Sequence, residues 1–345
     1  MKCTTIAVDL AKTVFEVAVS EQPGEISERR QLRRKAFASY FAGRTPCRVV
    51  MEACGTSHYW GRQLEAMGHE VILLPPHAVR PYVLRDKTDR ADAKGILEAF
   101  RNAEIRPVPV KTETQQALTA QHRVRSAWMK TRTSRLNLLR GVLREFGIVI
   151  PVGSGQVVPR VQSLLAEQEL ALTSGLRAQL AELCEEITAL ESRIQSAEKE
   201  LRRVADQDQA VKRLLSVPGI GLLTATALVA FLGDIMRFPS GRHLASFLGL
   251  TPREFSSGGR RRLGRISKRG DKYLRMLLVH GARSALLHAK RMKEPDGLRA
   301  WALEVEKREG HNKATVALAN KLARVAWAVW SREETFESRP VEKAA

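Results

Sequence analysis

Between Leu176 and Val204 the apolar residues fall at alternating steps of four and three: Leu176, Leu180, Leu183, Ile187, Leu190, Ile194, Ala197, Leu201 and Val204. A stripe with that spacing stays on one side of a helix for about four heptads. It is so narrow that only another helix running alongside can bury it. This feature makes the middle of the chain one long helix, a connector over residues 156–210, with one domain before it and another after it. The covering helix is either that of a second subunit or the stretch Val161–Leu172, and of the two we expect pairing between subunits.

Upstream, the breaker Pro151-Val152-Gly153-Ser154-Gly155 closes a first domain over residues 1–150. Its first half reads as strands at 4–9, 14–20 and 26–32, a helix at 35–42, a strand at 47–52, a helix at 58–67 and a strand at 70–74. Strands first, then alternating helix and strand, predict a mixed α/β sheet whose opening hairpins are antiparallel. Two acids close apolar runs, Asp9 and Glu52, at the carboxyl ends of strands where open α/β sheets carry their sites. The fifth strand is sealed by Pro75-Pro76, and Lys87-Thr88-Asp89-Arg90-Ala91-Asp92-Ala93 then opens a helix. Thr88 is its expected N-cap, and Asp89 and Asp92 fall on one face of the first turn. Such a pair serves a helix dipole by itself, but together with Asp9 and Glu52 it gives four acids a way to converge.

Those acids stand in a chain where Lys and Arg outnumber Asp and Glu by 57 to 37, a net charge of +20. That excess points to a polyanion, nucleic acid first. No apolar run reaches membrane-spanning length and no signal peptide opens the chain, so a membrane partner is not expected and a cytoplasmic, nucleoid-associated protein is. The four scattered cysteines have no zinc or disulfide spacing and read as reduced thiols. Residues Ala117–Phe146 read as one or two helices carrying Arg123, Arg125, Lys130, Arg132, Arg135, Arg140 and Arg144 against the single acid Glu145. A solvated face usually mixes signs, so this one reads as a phosphate-tracking surface, the alternative being a merely solubilising one.

Beyond the connector, residues 211–331 form an apolar, helical second domain. Val217-Pro218-Gly219-Ile220-Gly221 precedes a helix in the manner of a helix-hairpin-helix, where Gly219 and Gly221 would offer backbone N–H groups to a phosphate; a plain helical corner explains the same residues. Ser256 and Ser257 lead into a glycine- and arginine-rich loop bearing Arg260, Arg261, Arg262, Arg265, Lys268 and Arg269. Its place between two apolar helices marks it as a working loop rather than a linker. Residues 332–345 read as a polar, disordered tail.

These motifs together resemble the Asp-Glu-Asp-Asp transposases of the insertion sequence 110 family. The likeness is carried by Asp9 in Ala-Val-Asp-Leu-Ala-Lys, Glu52 in Val-Met-Glu-Ala-Cys-Gly, and Asp89 and Asp92 in Lys-Thr-Asp-Arg-Ala-Asp-Ala. In the second half it is carried by Val217–Gly221, Leu248–Arg253, Ser256–Gly259 and Ile266–Arg275, the serine-glycine run being closest to the 1111 subgroup. The resemblance implies an RNase H-like first domain of the RuvC type in which Asp9, Glu52, Asp89 and Asp92 hold Mg²⁺, with Mn²⁺ able to substitute. It implies a nucleophilic serine from the second domain, Ser257 by its place before Gly258, with Ser256 as the alternative. It implies DNA at the element's ends and target, a structured noncoding guide RNA, and a homo-oligomer, a dimer or a synaptic tetramer. Two other functions use the same residues differently. A hydrolytic nuclease would need only the acids and water, and a non-catalytic nucleic-acid binder would need neither acids nor serines.

Overall fold

The computed structural model describes residues 4–83, 88–167 and 172–338, in two compact units that divide after Gln116. The first unit is built on a five-stranded sheet in the order β3-β2-β1-β4-β5. Strands β1 (Thr5–Leu10), β2 (Val14–Ser20) and β3 (Glu28–Arg33) form an antiparallel meander. Strands β4 (Arg48–Glu52) and β5 (Glu70–Leu74) then add in parallel on the other side of β1. This is the mixed α/β sheet expected from the sequence, and it is consistent with an RNase H-like domain. Helices α1 (Arg34–Ala42) and α2 (Ser57–Ala66) cover one face, where Phe15, Phe37 and Trp60 meet edge to face among Ile6, Val8, Val49 and Met51. After the short α3 (Pro76–Val79), α4 (Asp89–Phe100) covers the other face, packing Ala93, Ile96 and Leu97 on Ala7, Ala18, Val50 and Leu74. Small residues on the strands let α4 lie close to the sheet. Period-2 alternation does the sorting: odd positions of β1 face α4 and even ones face α1 and α2.

The second unit opens inside α5 (Glu113–Glu145), a single helix that begins at the end of the first. It continues with α6 (Val157–Ala166), α7 (Ser174–Gln207), α8 (Gln209–Leu215), α9 (Leu222–Leu232) and α10 (Gly241–Phe247). A hairpin of β6 (Pro252–Glu254) and β7 (Leu263–Ile266) interrupts the helices, and α11 (Lys272–Ala289), α12 (Gly297–Glu309) and α13 (His311–Ser331) complete them. Sequence periodicity places the first domain's end near residue 150, but the compact unit ends at Gln116. The reason lies in the contacts of α5. Thr119 Oγ1 donates to the Ala230 carbonyl at 3.1 Å, Leu118 packs with Leu201 and Ala230, and Leu136, Leu139 and Leu143 pack with Leu180, Cys184 and Ile187.

The heptad stripe is α7, and its partner differs from the expectation. None of the nine stripe residues is exposed. They are covered within the chain by α5, α6 and α9, and ion pairs Arg125–Glu198, Arg132–Glu191 and Arg135–Glu186 run along an antiparallel α5–α7 pair at 2.5–2.7 Å. Among the described residues the stripe that the sequence assigns to a second subunit is met by helices of its own chain: α5 offers leucines to the seam and arginines to its glutamate margin.

The carboxyl end is corrected as well. Phe336 packs on the helical core, its N–H donates to Ser216 Oγ at 2.8 Å, and Glu333 pairs with Arg213 at 3.1 Å, so the start of the expected disordered tail is held down. Residues 339–345, like Cys3 and Lys87, lie outside the described residues. Among the described residues no helix is long and apolar enough to cross a membrane, and Cys47, Cys54 and Cys184 are free thiols.

Candidate active site

Thr88 caps α4 as its sequence implies, its hydroxyl accepting from the Ala91 N–H at 3.2 Å. That cap fixes where the first turn starts and so puts Asp89 and Asp92 on the turn that meets β1. Asp9 comes to them from the end of β1. Carboxylate oxygens of Asp9, Asp89 and Asp92 lie within 4.8 Å of one another. Asp9 and Asp92 are half-buried and Asp89 is exposed, so the cluster sits at a rim with a solvent side.

Glu52 stands just outside this cluster. The parallel register sets Val8 opposite Met51, so Asp9 and Glu52 follow side by side on the face that carries Ala7, Val50 and α4. Both acids act on the thiol of Cys54, which burial first, then Glu52, then Asp9 push up to about 11. The turn after Glu52 is tight. Thr56 has φ of 72°, an uncommon place for a β-branched residue, and Ser57 Oγ donates to the Cys54 carbonyl at 2.9 Å.

Close carboxylates repel, and a hard divalent cation relieves the repulsion. With Mg–O bonds of about 2.1 Å, oxygens on one octahedral ion lie about 3–4 Å apart. The spacing of Asp9, Asp89 and Asp92 is within a small closure of that, and all the donors are oxygens, so the residues fit such an ion.

Sequence reasoning missed Glu16. It lies directly across from Asp9 in the antiparallel register, 6% exposed, and its Oε2 has no hydrogen-bond partner among the described residues. The signal was there to read: one acid inside the otherwise apolar Val14–Val19, a position that needs compensation.

In the second unit the serine loop is a β-hairpin. Ser257-Gly258-Gly259-Arg260 is its tip, with the Arg260 N–H donating to the Ser257 carbonyl at 3.0 Å. Gly258 and Gly259 have φ of 55° and 75°, the left-handed pair that a two-residue hairpin turn demands. Ser256 is engaged in the hairpin itself. Its hydroxyl donates to Glu254 Oε1 at 2.6 Å and accepts from the Arg262 N–H at 3.1 Å. Ser257 is exposed, and no hydrogen bond of its hydroxyl is found among the described residues. Arg260, Arg261, Arg262, Arg265, Lys268 and Arg269 are all exposed on the hairpin and its base, and Arg261 approaches Glu254 at 3.6 Å. The base is fixed: the Ser267 N–H donates to the Thr251 carbonyl, and the buried Arg275 donates to the carbonyls of Leu248 and Arg269.

The basic face of α5 is divided. Arg125, Arg132 and Arg135 are spent on the glutamates of α7, and Arg140 donates to the carbonyls of Pro151 and Gly153. Arg123 and Lys130 are exposed and line a groove of about 1180 Å³ with Phe231, Lys272, Tyr273 and Met276. Under it His122 is 1% exposed, its pKa lowered to about 4 by burial and then by Arg125. Thr226 gives its hydroxyl proton to the Leu222 carbonyl, so neutral His122 donates from Nε2 to Thr226 and accepts at Nδ1 from the Tyr273 hydroxyl. Gly219 is a packing position: a Cβ on Gly281 of α11 would run into its carbonyl oxygen. Close helix approach explains that glycine without a phosphate, while Gly221 is exposed at the start of α9.

Comparison with known proteins divides into the same two halves. Residues 6–148 match the transposase family model named for the DEDD transposases of IS110, and residues 211–295 match that of the transposase IS116/IS110/IS902 family. A probable family 20 transposase of Pseudomonas aeruginosa is 41% identical over 97% of this chain and 99% of its own. The transposase for insertion sequence element IS1111A of Coxiella burnetii is 38% identical over 96% of this chain and 90% of its own. That for IS1328 of Yersinia enterocolitica is 37% identical over 96% and 98%.

Proposed function

The chain belongs to the IS116/IS110/IS902 family of insertion-sequence transposases, enzymes that cut and rejoin DNA, and we propose that it does so with a serine nucleophile and a carboxylate-held divalent cation, guided by RNA. The observation that carries this reading is the convergence of Asp9, Asp89 and Asp92 at the rim of the five-stranded sheet; in this reading the sheet is that of a RuvC-type domain. Those three, with Glu52 beside Asp9, would hold Mg²⁺ or Mn²⁺. When bound, the ion neutralises the carboxylates, polarises a phosphodiester oxygen and stabilises charge on the attacking or leaving oxygen.

Ser257 is the nucleophile in this reading. Its Oγ loses a proton and bonds to phosphorus as the bond from phosphorus to the 3′-oxygen breaks, leaving a phosphoserine ester and a free 3′-hydroxyl. A 3′-hydroxyl from another strand then attacks the ester and releases the serine, so strands are exchanged without hydrolysis or ATP. Support comes from the exposed Ser257 hydroxyl at the hairpin tip, while Ser256 is occupied with Glu254 and Arg262. A serine with a carboxylate partner has its own claim to activation, so Ser256 is the alternative. The exposed arginines of the hairpin would clamp the scissile phosphate, and Arg123 and Lys130 would follow a nucleic-acid backbone along the α5 groove. A structured noncoding RNA of the element would choose donor and target by base pairing. Exchange between two DNA sites calls for more than one active centre, hence a homo-oligomer.

The test is covalent trapping. Protein, Mg²⁺, cognate RNA and labelled element-end DNA are mixed, and a denaturation-resistant protein–DNA adduct is sought with wild type, Ser256→Ala and Ser257→Ala. We expect an adduct that only Ser257→Ala abolishes. Cleavage with no adduct and no effect of either serine would overturn the covalent mechanism and leave the acids working alone as a hydrolytic nuclease.

A further inference from the structure

We propose that Glu16 is a further carboxylate of the cation site, held on β2 to bond a water in the ion's hydration shell. The proposal rests on the reading that Asp9, Asp89 and Asp92 hold a divalent cation.

Register carries the first part of the argument. Glu16 faces Asp9 across the β1–β2 pair, where opposed Cβ atoms are about 5 Å apart. It shares a face with Ala18, two positions along, and Ala18 packs with Ala7 and α4. Asp9, Glu16 and Glu52 therefore stand on adjacent strands on the one face that α4 closes, and α4 contributes Asp89 and Asp92.

Burial carries the second part. A carboxylate at 6% exposure with an unpartnered Oε2 is costly unless something positive or hydrogen-bonding reaches it. Among the described residues Arg29 of β3 acts on it, but the Arg29 guanidinium donates to the Arg90 carbonyl at 3.1 Å. Glu16 is not one of the three carboxylates whose oxygens lie within 4.8 Å of one another, and we place it one water beyond the ion's ligands. Mg²⁺ keeps several of its waters and binds through few carboxylates, so an acid one water further out has a partner as soon as the ion is present. Groups at that distance orient the hydration shell, and losing one typically costs 10–100-fold in metal affinity.

The experiment is a Mn²⁺ titration of the full-length protein, without nucleic acid, counting free ion by its electron paramagnetic resonance signal. Wild type, Glu16→Gln, Glu16→Asp and Asp9→Asn are compared, each with a thermal melt with and without Mn²⁺. We expect Glu16→Gln to weaken binding about 10-fold or more and to shrink the rise in Tm that Mn²⁺ gives. Glu16→Asp should retain more affinity than Glu16→Gln. Should Glu16→Gln not fold, Glu16→Asp, which keeps the charge on a shorter arm, is read alone against wild type, and weaker binding supports the proposal. Unchanged or tighter binding in the Glu16 variants, with Asp9→Asn losing the ion, would overturn it and make Glu16 a buried structural acid. Wild-type binding by Asp9→Asn would sink the cation-site reading itself.

Discussion

The acid cluster and the serine hairpin are built in opposite ways. Asp9 and Glu52 stand at the ends of sheet-bonded strands, and Asp89 and Asp92 on a turn fixed by the Thr88 cap and by α4 packing on Ala7, Ala18 and Val50. The hairpin has exposed arms, a glycine tip and, among the described residues, anchors at its base. The difference suits the work each would do in the proposed reaction. Carboxylates that repel stay together only on a frame stiff enough to hold them. The proposed nucleophile would have to meet its phosphate and later pass it to another strand, and an exposed hairpin tip gives it that access.

The sharpest way to break this comparison is at the acids. Asp92→Asn should lower strand cleavage by about 10³-fold or more while the protein still melts cooperatively near the wild-type Tm. A fall in Tm together with activity would show the cluster to be structural. The frame of the second unit is next. Leu139→Ala empties space at a fully buried seam position and should cost about 2–5 kcal/mol in chemical denaturation. A similar loss is expected of Gly281→Ala, which forces α11 from Gly219.

Buried His122 adds a pH dependence. Its folded pKa, about 4, lies below the ordinary 6.5, so the unfolded chain binds the extra proton between those values. Stability is then complete above about pH 6.5 and falls as pH drops towards 4, by up to about 3 kcal/mol. In His122→Gln that share of the slope should vanish from denaturation measured at pH 7 and pH 5.

The hairpin should respond in the reverse sense to the frame. Gly258→Ala puts a side chain at φ of 55° and should shift stability by only about 1 kcal/mol while adduct formation drops, since the turn that presents Ser257 is disturbed. Equal losses of both would mean the hairpin is part of the core. The smallest effect separates a groove-lining cation from an ion-paired one. Lys130→Ala should reduce the salt slope of nucleic-acid binding by about 1, whereas Arg132→Ala, already matched with Glu191, should change that slope less and stability more.

Much of the fold was legible in the sequence because its signals are local. Strand alternation around Ala7 and Val50, the Thr88 cap, the heptads of α7 and the glycine pair of the hairpin each arise from a few neighbouring residues. Four acids could be grouped on the same grounds, since strand ends and a capped helix start are positions along a chain, and the structure brings the oxygens of three of them within 4.8 Å of one another. The hairpin itself was less visible: its strands are short, and arginines hide the alternation.

By itself the sequence determined the strands of the sheet, most of the helices, the faces they bury, and the order of acids and serines, all consequences of backbone periodicity and side-chain type. Only the tertiary structure decided who meets whom. It gave the α7 seam to α5, it turned Arg125, Arg132 and Arg135 from a charged face into ion pairs, and it set Glu16 opposite Asp9. Those outcomes depend on register and on the choice among competing partners. Both are settled by long-range packing, which a one-dimensional pattern does not encode.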